Sequence, residues 1–84
     1  SRTITIFLPE GVLAQGLARI QADHHGVEIG SYPFQNERGS GAAIVVSGDA
    51  APAIAGAAQA VSALARNLGA IPEESGDPAD GRRA

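Results

Sequence analysis

The sequence predicts a small α/β (α+β) domain of βαββα order, a three-stranded sheet with two helices on one face. Three observations carry this. Apolar and β-branched residues alternate over 3–8, and two further strand-length runs, 27–34 and the Ile-Val-Val-rich 42–47, lie between glycine, proline and polar residues. Apolar residues recur at spacings of three and four over 10–25 and again from Asp49 to Leu68. Between the second and third strand-length runs lies a short polar and glycine-rich link, Gln35 to Gly41, which favours a hairpin.

In the first strand Ile4, Ile6 and Leu8 point one way and Thr3, Thr5 and Phe7 the other, and Pro9 ends it because proline cannot donate to a ladder. The first helix follows from Glu10, whose charge suits the positive end of the helix dipole. Its apolar stripe is Val12, Leu13, Leu17, Ile20 and His24, and Gly26 stops it. Gly16, mid-helix, points to close packing against the sheet. The second strand, from Val27 to Phe34, has Pro33 near its end, and the third is rich in Ile44, Val45 and Val46. Asp49 is the expected N-cap of the second helix, with Pro52 in its first turn. Ile54, Ala57, Val61, Leu64 and Leu68 form its stripe, and Gly69 terminates it. Its alanine content allows close approach to a sheet.

This order is a truncated ferredoxin-like, or split βαβ, unit. Residues 1–71 form its single domain. Residues 72–84 hold no large apolar side chain, so a disordered tail is expected there. With both helices on one face, Ile4, Ile6, Val27, Ile29, Ile44 and Val46 turn toward them. Phe7, Tyr32 and Val45 then lie on the uncovered face.

Composition narrows the function. The six basic residues are all arginine and scattered, against nine acids, for a net charge of −3. Nucleic-acid and anionic-membrane surfaces need clustered Lys and Arg, so neither partner is expected. There is no cysteine, hence no disulfide or thiolate chemistry. No signal peptide or membrane-length apolar run is visible, and a cytoplasmic protein is expected. Ser1 at the start points to a fragment of a longer chain.

No constellation outweighs its structural explanation. Adjacent histidines such as His24 and His25 point about 100° apart on a helix, so they satisfy helix-end carbonyls better than they share a metal. Glu37 to Gly41 resembles a phosphate loop but lacks its lysine and leads into a strand. Ser31, Ser40 and Ser47 have no nucleophile elbow around them, and Glu28 has no carboxylate partner selected by spacing. No catalytic, cofactor-binding or metal-binding residue is assigned. The most distinctive segment is Gly30-Ser31-Tyr32-Pro33: the glycine marks a bulge or close approach, the proline ends pairing, and Tyr32 offers an amphipathic anchor.

Val27-Glu28-Ile29-Gly30-Ser31-Tyr32-Pro33, behind a helix bearing Leu13, Ala14 and Leu17, resembles a segment of competence/damage-inducible protein A and related molybdopterin-binding-domain proteins. Ala43 to Val46, Gly48-Asp49 and the alanine-rich helix extend the likeness to about residue 70. The resemblance implies a small KH-type or ferredoxin-like module, non-catalytic and accessory or oligomerising, on the C-terminal side of a core. That core, outside these residues, binds a pterin or nucleotide with a divalent metal, and some family members hydrolyse nucleotide pyrophosphates. No cofactor falls in the module itself. Its partners are the missing N-terminal core, a second copy, or both, through the open sheet face. A small-molecule-sensing regulatory domain of ACT type is the alternative.

Overall fold

A computed structural model describes residues 1–76 of the 84. The elements in chain order are β1 (Arg2–Ile6), α1 (Glu10–Asp23), β2 (Val27–Asn36), β3 (Gly39–Gly48), α2 (Ala51–Asn67) and β4 (Glu73–Gly76). They form one antiparallel four-stranded sheet in the order β2-β3-β1-β4. β3 therefore lies between β1 and β2, the split βαβ arrangement the element order implied.

Two expectations change at β4. The sheet has four strands, not three, and the ferredoxin-like arrangement is complete, with order βαββαβ, rather than truncated. The strand comes from the segment expected to be a disordered tail: Thr5 pairs with Glu73 and Arg2 with Gly76. Glu-Glu-Ser-Gly has no apolar alternation because an edge strand of four residues is held by its backbone ladder, not by burial. Two arginines help: Arg2 pairs with Glu74, and Arg38 with Glu73. The rest of the expected tail, 77–84, lies outside the described residues.

The core is aliphatic throughout. Ile4, Ile6, Val27, Ala42, Ile44 and Val46 rise from the sheet to meet Leu13 and Leu17 of α1 and Ile54, Ala57, Ala58, Val61 and Ala65 of α2. No polar or charged residue is buried among the described residues. The alanines of α2 bring its backbone close to the sheet, as the composition implied. Gly16 acts elsewhere than expected: a Cβ there would come within 2.5 Å of Leu64, so it admits α2, not the sheet.

The helix ends refine the reading. The N-cap of α2 is Ala50, not Asp49, and no side chain caps it. Its C-terminus closes at Gly69, at φ +89°, with Gly69 N–H donating to Arg66 carbonyl (3.0 Å) and Ala70 N–H to Ala65 carbonyl (2.9 Å). This is a Schellman motif, which satisfies carbonyls that the helix leaves free. β2 and β3 meet in a tight hairpin: Asn36 pairs with Gly39, itself at φ +115°, and the Asn36 carboxamide oxygen accepts from Arg38 N–H at 2.8 Å.

Candidate functional site: the open sheet face

Strand alternation sorts the sheet into two faces. Opposite the helices lie Thr3 and Thr5 of β1, Glu28, Gly30, Tyr32 and Phe34 of β2, Gly41, Ala43, Val45 and Ser47 of β3, and Glu73 of β4. Phe7, just beyond β1, joins them. The chain has one tyrosine and two phenylalanines, and all three are on this side.

Glycines make room for these rings. The Tyr32 ring folds back over Gly30, where an added Cβ would lie 3.0 Å from it. Phe34 pairs with Gly41, where a Cβ would sit 2.8 Å from the Phe34 ring and 2.9 Å from the Ile6 carbonyl oxygen. That gap lets Phe34 meet Phe7 edge-to-face, with centroids 5.5 Å apart and planes at 88°. The Arg38 guanidinium carbon sits 4.2 Å from the Phe7 centroid. The same guanidinium grips both carboxylate oxygens of Glu73, at 3.2 and 2.6 Å. That hydrogen bonding, helped by the arginine charge, holds the Glu73 carboxyl below the usual range, and it raises Arg38 in turn.

Of the residues singled out in the sequence, Phe7, Tyr32 and Val45 do share this face, with Phe7 and Val45 half-buried and Tyr32 60% exposed. Phe34, Arg38 and Glu73 were not singled out. Phe34 was legible, because it lies two residues from Tyr32 and so on the same side. The Gly-Ser-Tyr-Pro segment neither bulges nor ends its strand: the register runs unbroken to Asn36. Pro33 is tolerated because Val27, Ile29, Ser31 and Pro33 turn their main-chain groups outward, where no ladder bond is lost. Gln21 of α1 occupies the start of that outer edge, donating to the Val27 carbonyl (2.8 Å) and accepting from Ile29 N–H (2.8 Å). Ser31 Oγ is buried toward the helix side without a hydrogen-bond partner.

The other sequence candidates do not assemble. His24 Nδ1 donates to the Ile20 carbonyl at 2.8 Å, the helix-end role expected of it. Among the described residues no three His, Asp or Glu side chains converge in a way that would hold a metal. A hollow of about 530 Å³ lies on the opposite side between α1 and α2, lined by Gly16, Ile20 and Leu64 among others. No helix of the described residues is long and apolar enough to cross a membrane.

A two-layer α+β module whose aromatic residues all gather on the uncovered side of its sheet is the class that the geometry defines. Residues 1–74 match the family described as FAD synthase, middle domain, and the chain belongs to that family. No curated protein and no solved structure matches it. The family overturns the resemblance drawn above: this is not the module of a competence/damage-inducible or molybdopterin-binding protein. The ACT-type alternative has no support either, and the parent activity expected from the resemblance, pyrophosphate hydrolysis, gives way to a family named for FAD synthase. The error has a physical source. An apolar strand carrying Gly-Ser-Tyr-Pro and, after the next strand, an alanine-rich helix suit any small sheet with closely packed helices, and a shared fold does not fix the family.

Proposed function

We propose that this chain is a non-catalytic packing module of a FAD synthase, meeting its neighbour through the open sheet face. The observation that carries this is the division of side chains: an entirely aliphatic core on one side, all three aromatic residues on the other. A large apolar side chain is worth roughly 1.5–3 kcal/mol when fully buried; Tyr32 is 60% exposed and Phe7 and Phe34 are half-buried, so part of that gain is still open to a partner. The neighbour is a further domain of the same polypeptide or a second copy.

The proposal gives this domain no reacting group and no cofactor. A nucleotide and its divalent metal belong to the rest of the polypeptide, while the pterin falls with the resemblance that implied it. A net charge of −3 without lysine leaves nucleic acid and anionic membrane out of the partners. The lack of cysteine fits a cytoplasmic setting.

Titration of the 84-residue chain with ATP, FMN and FAD, followed by amide NMR, tests the assignment. The expected outcome is no saturable shift up to about millimolar ligand, where even weak sites of roughly −4 kcal/mol fill. Saturable shifts over Gly30 to Phe34 would instead make the aromatic face a ligand site.

A further inference from the structure

The sheet has three ways to associate: through either edge or through its open face. Both edges are obstructed. On β2, Gln21 already bonds the Val27 carbonyl and the Ile29 N–H, and Pro33 has no N–H to give. On β4 the edge is four residues long and carries Glu73 and Glu74, each held by an arginine. An added strand finds little to pair with on either side. The face is what remains.

Its size bears on the occupant. Four strands spaced at about 4.8 Å, over a shared length of about five residues at about 3.3 Å each, span roughly 320 Å². The longer β2–β3 hairpin adds about 160 Å² on the same spacings. Stable interfaces between free proteins bury about 800 Å² on each partner. A flat footprint of about 480 Å² understates accessible area, and it places this face at the small end of what holds free partners together. A covalent tether changes the requirement, because it raises the effective concentration to about millimolar. The family description, a middle domain, supplies tethered neighbours on either side.

We propose that the open sheet face seats a flanking domain of the same polypeptide, with Tyr32, Phe34 and Phe7 as the contact stripe, and not a second copy of this chain. This rests on the reading of the chain as a packing module. The partner surface is aliphatic, to cover a stripe that runs between small residues, Gly30, Gly41 and Ala43. It carries a basic residue opposite Glu28, which is exposed at the corner of the face and makes no ion pair among the described residues.

Tyr32 is the only tyrosine of the chain, which makes it a reporter. Hydroxyl-radical labelling is compared between the 84-residue chain and the full-length polypeptide, each at several concentrations. The proposal expects Tyr32 labelling about fivefold or more lower in the full-length protein, as for a residue at a water-excluding interface core, and independent of concentration. Val45→Glu, which places a charge in the middle of the face without touching the core, should restore labelling to the level of the isolated chain. Equal labelling of the two proteins overturns the proposal. So does protection that grows with concentration in either, which would make a second copy the occupant, and so does a Val45→Glu protein that stays protected. FAD synthesis by the same full-length protein reads the other question: if Tyr32 is open while substitutions of this domain's polar side chains leave turnover intact, the docking fails and the non-catalytic assignment stands.

Discussion

Gly30 and Gly41 both lie on the open face under an aromatic ring, yet they answer differently to an added methyl group. At Gly30 the obstacle is the Tyr32 ring, which is largely exposed and free to swing outward. At Gly41 one obstacle is the Ile6 carbonyl, fixed in the β1 backbone, and the other is the Phe34 ring already wedged against Phe7. Gly41→Ala is therefore expected to cost about 1–3 kcal/mol, the usual range for overpacking. Gly30→Ala should stay within about 0.5 kcal/mol, since alanine also loses less entropy in a strand. Thermal melts separate the two: a fall of about 4 °C or more for Gly41→Ala and less for Gly30→Ala. Equal shifts would mean that Phe34 moves as freely as Tyr32. At this scale the sequence was partly readable. Period-two alternation places Phe7, Tyr32 and Val45 on one face, but it says nothing of Arg38, whose position over Phe7 depends on how the hairpin tip folds back.

Among the elements, β4 is the one that hydrophobic pattern could not reveal. Its four residues bury no large side chain, and its place depends on pairing with β1 and on two arginine–glutamate contacts distant in sequence, Arg2–Glu74 and Arg38–Glu73. The strands and helices with apolar periodicity were legible to within a few residues, because burial dictates them. The Glu73 carboxyl titrates below its ordinary value, through the Arg38 hydrogen bond first and its charge besides. A folded value below the unfolded one means the contribution is full at neutral pH. It fades as pH falls from about 4.3, the ordinary glutamate value, down through the lower folded value. Because the pair is exposed, the effect is local to β4 and weakens in salt. Hydrogen exchange corrected for intrinsic rate should show the β4 amides loosening by about twofold to fivefold at pH 3, the scale of an exposed ion pair, while those of β3 hold. Glu73→Gln should loosen them already at neutral pH. Amides of β4 protected equally at pH 3 and 7 would show that the backbone ladder alone holds the strand.

For the molecule as a whole, the two layers divide the work. Helices and sheet share an aliphatic core, and the sheet's other side carries the aromatics; among the described residues no three His, Asp or Glu side chains gather to hold a metal. The uncovered face was legible because βαββα order with both helices on one side leaves it so. The family was not legible, since the features that made this chain look like a different module are those any close-packed sheet and alanine-rich helix share. The central claim is that the domain supplies no reacting group to its FAD synthase. It is tested most directly by measuring FAD formation by the full-length protein with Ser31→Ala, His25→Ala, Glu37→Gln and Asp49→Asn, each checked for folding by circular dichroism. The account predicts turnover within about threefold of the parent in every case, since none of these groups stabilises the transition state. A folded variant that loses about a hundredfold or more, the scale of a general acid or base, would contradict it and place chemistry in this domain.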